Sequence, residues 1–165
     1  MSKIAVFFGS TTGTCETLAG TIADKLGTSD VFSAADLDAD KIAEYDVLVL
    51  GSSTWGDGEL QDDWYDPVEL LKSGLEGKKV AVFGCGDSAS YPDTFCGAMG
   101  IIYEAAVEGG ATIVGAGMPT DGYDFGASQA VVDGAWVGCA LDDVNESDKT
   151  EERIDAWVAK VQSEI

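Results

Sequence analysis

Ile4, Ala5, Val6, Phe7 and Phe8 form a continuous apolar run that stops abruptly at Gly9. Apolar side chains on both faces of a strand belong to a sheet covered on both sides. Beyond Gly9 the chain turns polar in a chemically specific way. Ser10, Thr11, Thr12 and Thr14 place hydroxyls around Gly13, and a helical pattern then begins, with Leu18, Ala19, Ile22, Ala23 and Leu26 on one face. A first helical turn presents free N–H groups and the helix dipole adds partial positive charge, so this junction has the makings of an anion site. The loop contains no Lys or Arg, so its donors are backbone and hydroxyl groups, a set that suits a phosphate monoester. It is neither G-x-x-x-x-G-K-[ST] nor G-x-G-x-x-G, since only Gly9 and Gly13 are present. Gly, Ser and Thr at a strand-to-helix junction also serve plain turn and capping chemistry, and the loop alone leaves both readings open.

The same punctuation recurs. Val47 to Leu50 is another buried strand and runs into Gly51-Ser-Ser-Thr-Trp-Gly-Asp-Gly-Glu59; Val80 to Phe83 runs into Gly84-Cys-Gly-Asp-Ser-Ala-Ser-Tyr-Pro-Asp93. Each loop carries an aromatic residue, Trp55 in the first and Tyr91 in the second. Val31 and Phe32 make a short strand between the first two runs. Phe95, Met99, Ile102 and Ala106 mark a helix that stops at Gly109-Gly110. Thr112 to Gly115 begins a fifth strand, yet Trp136 to Leu141 reads as strand again, with a polar segment between that exceeds usual loop lengths. We read one strand interrupted by an inserted excursion. Asp148 with Glu151 forms a candidate capping box before the stripe Ile154, Trp157, Val158 and Val161.

Five buried strands alternating with helices predict an α/β fold, a doubly wound five-stranded parallel sheet with helices on both faces. In such sheets ligands bind beyond the carboxyl ends of the strands. The loops at 9–15, 51–60 and 84–94 all lie just past strand ends. A phosphate loop beside two aromatic-bearing loops describes a site for a flat, phosphorylated ring system.

Length and charge narrow the field. The 165 residues suit one domain spanning 1–165, and with no run of 18 apolar residues and no basic secretory n-region at Met1 to Gly9, no membrane association and a cytoplasmic location are expected. A net charge of −21 excludes nucleic acid as a partner, because Lys and Arg supply affinity for its backbone. Without His, and with Cys15, Cys85, Cys96 and Cys139 at no metal-ligand spacing, neither a zinc site nor a His-dependent triad is expected. Asp36-Leu-Asp-Ala-Asp40 invites a calcium reading that fails, since Lys41 and Val47 stand where an EF-hand loop needs Gly and Glu. It reads as a solvated turn.

Taken together these motifs resemble the flavodoxins over essentially the whole chain. Ser10-Thr-Thr-Gly-Thr-Cys-Glu16 is similar to the family's FMN phosphate loop, Thr54-Trp-Gly-Asp-Gly58 to its first flavin loop, and Gly84-Cys-Gly-Asp-Ser88 with Tyr91 to its second. Thr120-Asp-Gly-Tyr-Asp-Phe125 and Ala140-Leu-Asp-Asp143 resemble the long-chain branch. Cys15 departs from the pattern, standing where the family usually has Thr.

The resemblance implies strand order 2-1-3-4-5 and a low-potential one-electron carrier that cycles noncovalent FMN through oxidised, semiquinone and hydroquinone forms and turns over no substrate. It implies cofactor contacts from Ser10, Thr11, Thr12, Gly13, Thr14 and Cys15, from Ser53, Thr54, Trp55, Gly56, Asp57 and Gly58, and from Cys85, Gly86, Asp87, Tyr91, Thr94 and Cys96. Trp55 and Tyr91 would flank the ring, and the Gly56-Asp57 peptide, free of steric cost, would turn its carbonyl to the flavin. Acidic residues Asp57, Glu59, Asp62, Asp63, Asp121, Asp124, Asp142 and Asp143 would steer a monomer to basic docking faces of redox enzymes such as flavodoxin/ferredoxin-NADP reductase or oxidoreductases. Two other readings are an FMN-dependent quinone reductase, which needs an open flavin face, and a non-redox receiver-type signalling domain, which wants strand-end acids where this chain has Gly9-Ser10.

Overall fold

The computed structural model describes residues 3–9, 14–55, 59–60, 64, 66–72, 74–86, 95–120, 123, 128–142 and 145–165. The elements in chain order are β1 (Ile4–Gly9), α1 (Thr14–Leu26), β2 (Val31–Ser33), α2 (Ala39–Glu44), β3 (Val47–Trp55), β4 (Glu59–Leu60), α3 (Pro67–Leu71), β5 (Lys79–Cys85), α4 (Gly97–Glu108), β6 (Thr112–Ile113), β7 (Met118–Pro119), β8 (Val131–Val132), β9 (Ala135–Trp136), β10 (Cys139–Leu141) and α5 (Ser147–Glu164). The parallel sheet runs β2-β1-β3-β5 and ends on a split fifth strand, with β6 pairing the amino half of β5 and β10 its carboxyl half. This is the expected order 2-1-3-4-5.

Alternation of side chains sends the strands into two cores. Ala5, Phe7, Leu48, Leu50, Val80 and Val82 face α4 and the short α3, whereas Val6, Val47, Val49, Ala81 and Phe83 face α1 and α5. All eleven are fully buried, which is why the strands read as unbroken apolar runs rather than as alternating ones. Gly51 exists because of Phe83: a Cβ there would lie 2.1 Å from the Phe83 ring. Lys25, on the last turn of α1, binds Asp155 at 2.5 Å and so ties α1 to α5 across their exposed edge.

Several boundaries differ from expectation, each for a local reason. The sequence puts Trp55 in a loop, but β3 continues through it because the chain folds back as β4, pairing Thr54 with Leu60 and Trp55 with Glu59. Asp148 is not the cap of α5. The helix starts at Ser147 after Glu146, whose side chain makes no cap bond and instead binds Lys149 and Arg153; Asp142 orders the preceding turn by accepting from the Asn145 N–H at 3.0 Å. Asp38, from the acidic triplet, caps α2 by accepting from Lys41 N at 2.8 Å.

The excursion between β6 and β10 has a fold of its own. Its β7, β9 and β8 form a small antiparallel sheet, so Trp136 belongs to this sheet, and the main sheet resumes only at Cys139. Gly110 ends the turn after α4 at φ +91, a conformation that favours glycine.

Candidate functional site

Register brings the strand ends level. Gly9 pairs with Ser52, Ser52 with Gly84, Ser53 with Cys85 and Cys85 with Leu141. Four successive parallel strands, β1, β3, β5 and β10, therefore finish at one edge, and the three glycine-bearing loops leave from it. α1 begins at Thr14, five positions after β1 ends at Gly9. Its first-turn N–H groups lack intrahelical acceptors, and thirteen residues of helix stand behind them.

Cations lie elsewhere. Lys3 precedes β1, Lys78 and Lys79 open β5 at the opposite edge, and 9–15, 51–60 and 84–94 contain no Lys or Arg. The backbone N–H groups of a first helical turn are neutral donors that suit an anion.

Of the residues expected at the site, the structure describes eight, at the start of α1, the ends of β3 and β5, and just before α4. Thr14 and Cys15 open α1; Ser53, Thr54 and Trp55 close β3. Cys85 closes β5, buried at 6% exposure, and Gly86 comes next, its N–H donating to Leu141 O at 3.0 Å. Cys96 precedes α4 at φ 53 and is fully buried. Ser10, Thr11, Thr12, Gly13, Gly56, Asp57, Gly58, Asp87, Tyr91 and Thr94 lie outside the described residues.

Burial keeps the Cys96 and Cys139 thiols protonated. Burial, reinforced by neighbouring Cys85, pushes Cys96 well above the ordinary thiol range. Burial and Cys85 act likewise on Cys139, against the opposing pull of Arg153. Among the described residues no disulfide joins Cys85, Cys96 or Cys139. Asp142 corrects the sequence reading: it is completely buried and holds Asn145 through both carboxylate oxygens, so it is no part of an exposed acidic rim.

Trp64, fully buried between β4 and α3, donates its indole N–H to the Gly51 carbonyl at 2.7 Å. Sequence reasoning missed it because it sits in the acidic stretch Asp62-Asp63-Trp64-Tyr65-Asp66, where no hydrophobic period survives; only the large apolar residue among carboxylates signalled it. Ser128, whose hydroxyl donates to the Phe95 carbonyl, lay in the polar excursion without a sequence signal of its own.

A doubly wound parallel sheet whose strand ends finish level at one edge belongs to the class of α/β proteins that bind ligands beyond those ends. Comparison narrows the class. The flavodoxin family model matches residues 6–157. Flavodoxin 1 of Azotobacter vinelandii is 42% identical over 100% of this chain and 98% of its own, and the flavodoxin of Nostoc sp. is 42% identical over 99% and 97%. Among solved structures, Fusobacterium nucleatum flavodoxin bound to flavin mononucleotide superposes with a TM-score of 0.91 at 27% identity, covering 100% of this chain and 99% of the other. Oxidised Flavodoxin 2 from Bacillus cereus gives 0.74 at 30% identity, over 99% and 100%. The chain belongs to the flavodoxin family.

Proposed function

We propose that this chain is a monomeric, single-domain, cytoplasmic electron carrier, spanning 1–165, that holds FMN noncovalently and passes one electron at a time between redox proteins. The observation that carries it is the meeting of the α1 N-terminus with the ends of β3 and β5 at an edge whose loops hold no cation. No helix among the described residues is long and apolar enough to cross a membrane. Bound at this edge, FMN supplies two successive one-electron steps.

The protein's part is binding and exclusion. Ser10, Thr11, Thr12, Gly13, Thr14 and Cys15 hold the phosphate through hydroxyl and N–H donors. Ser53 to Gly58 and the segment from Cys85 to Cys96, with Gly86, Asp87, Tyr91 and Thr94, hold the ring, and Trp55 and Tyr91 offer aromatic faces that exclude water from it. In a low-dielectric setting on a chain of net charge −21, added negative charge is opposed, which sets a low potential. The same acidity favours basic docking faces of reductases and oxidoreductases, and association should slow as salt rises. Family membership and a backbone edge with aromatics on two loops favour this reading over a quinone reductase or a signalling receiver.

Titration of apoprotein with FMN and with riboflavin tests it. Wild type should bind both, FMN more tightly, and Thr12→Ala should weaken FMN by about 1.5–3 kcal/mol while sparing riboflavin. A wild-type protein that takes up neither flavin overturns the reading. Equal weakening of both ligands would move Thr12 away from the phosphate.

A further inference from the structure

We propose that Trp64, working against Phe83, is a positioning residue that sets the direction of the free end of β3 where the flavin ring binds; the inference rests on the FMN reading of the site. β3 outruns its parallel neighbours. β1 ends at Gly9, opposite Ser52, and β5 ends at Cys85, opposite Ser53. Thr54 and Trp55 project past both and pair instead with Leu60 and Glu59 of β4. A two-residue antiparallel pair is marginal by itself, so the direction of this end has to be set at its root.

That root is Gly51, gripped from both faces of the sheet. On the side of α1 and α5 the Phe83 ring lies over it, so close that a Cβ would fall 2.1 Å from the ring. On the side of α3 and α4, Trp64 is fully buried and donates its indole N–H to the Gly51 carbonyl at 2.7 Å. The two contacts differ in kind. The ring limits how far the strand can tilt toward it, whereas the hydrogen bond is directional and holds the Gly51 carbonyl against rotation. Trp64 follows Leu60 by four positions, so this one bond ties the far side of β4 back to β3 across 13 positions of chain.

Gly51 is thus a clamped pivot. With the clamp closed, Thr54 and Trp55 hold one direction before a ligand arrives, and less ordering entropy is lost on binding, which appears as affinity. The effect falls on the strand that faces the ring and leaves the α1 end alone, so FMN and riboflavin share it.

Two replacements of Trp64 separate the bond from the bulk. Trp64→Phe loses the N–H and part of the ring; site-specific exchange of Trp64 for benzothienylalanine keeps the bicyclic shape and carries sulfur in place of the N–H. Each apoprotein is studied at a temperature where far-UV circular dichroism shows it folded. Both replacements should raise Kd for FMN and riboflavin by the same factor, roughly three- to tenfold for one lost hydrogen bond. Both should also speed amide exchange in the apoprotein at Thr54, Trp55, Glu59 and Leu60, while Val47 to Leu50 keep their protection. A merely structural role would lower the melting temperature and speed exchange along all of β3, with Kd unchanged while the apoprotein is folded. Kd within twofold of wild type for the benzothienylalanine protein overturns the proposal, as does unchanged exchange at Thr54 and Trp55, or an effect confined to FMN. If Trp64→Phe does not fold, the isosteric protein decides alone. Failure of wild type to bind flavin is a separate result that strikes the cofactor reading itself, and the exchange comparison then still decides whether Trp64 clamps the strand end.

Discussion

Phe83 in the central sheet and Tyr123 in the excursion are both aromatic anchors, secured by different forces. Phe83 is fully buried, fills the room left by Gly51 and lies 6.4 Å from the Trp157 ring. Tyr123 is half-buried, bonds the Ala140 carbonyl through its hydroxyl and carries the Arg153 guanidinium 3.7 Å over its ring. Arg153 is held in turn by Glu146 at 3.0 Å. The sheet is secured by apolar area, which is large, non-directional and indifferent to pH. The excursion adds to its buried Ala130 and Trp136 a chain of directional polar and cation–π contacts, each worth less but each fixing an orientation. The sheet thus supplies mainly stability, and the polar contacts of the excursion mainly orientation.

The strongest way to break this contrast is Phe83→Ala. Removing a fully buried ring should cost about 3–5 kcal/mol of unfolding free energy. Gly51 and Trp157 have neighbours of their own and collapse only partly into the gap. Urea unfolding should show a lower midpoint with an unchanged slope. A loss under about 1.5 kcal/mol would mean that the sheet core repacks freely, and its rigidity would no longer distinguish it from the excursion.

Gly138→Ala addresses the junction, where the excursion rejoins the sheet. A Cβ there would lie 1.9 Å from the Val82 carbonyl oxygen, on the backbone of β5, so the returning strand must move outward. The expected cost is about 1–3 kcal/mol, and it should appear first as faster amide exchange at Cys139–Leu141, with β1 and β3 keeping their protection. Uniform loss of protection would show that the split strand and the central sheet open as one unit.

The contrast also explains what was legible in the sequence. Ile4–Phe8, Val47–Leu50 and Val80–Phe83 declare themselves because a strand buried on both faces must be apolar at every position. That pattern was enough to place parallel strands with their loops at one edge, while the pairing order came from the family resemblance. The excursion's place was visible as excess length, but its antiparallel sheet was not, since two-residue strands such as Val131–Val132 are too short to show a period. At the site, residue types were legible in the loops, whereas Ser128 was silent: its role depends on a partner, Phe95, 33 positions away. The capping box at Asp148 failed because Glu146 is turned to Lys149 and Arg153, ion pairs across one and two helical turns that compete with capping.

The smallest expected effect is also the sharpest separator of the two regions. Burial alone would raise the Glu146 carboxyl, but hydrogen bonds from Lys149 and Arg153, together with their charges, outweigh it and hold the group below its ordinary value. A carboxylate depressed in the folded state adds stability in full above the unfolded value, about 4.3, and that contribution is lost as pH falls through the folded value. Glu146→Gln removes it. Both partners of the pair are only modestly exposed, Arg153 at 11% and Glu146 at 16%, so the cost at pH 7 should reach the upper end of the range for accessible pairs, roughly 1 kcal/mol. The gap between wild type and Glu146→Gln should therefore close as pH drops from 6 toward 3, roughly through the carboxylate range, whereas the gap for Phe83→Ala should stay constant, because no proton is exchanged there. Urea midpoints for the three proteins across that range make the comparison. A Glu146→Gln gap that persists at the acid end would mean that the side chain acts through packing, and the excursion would then be anchored by the same force as the sheet.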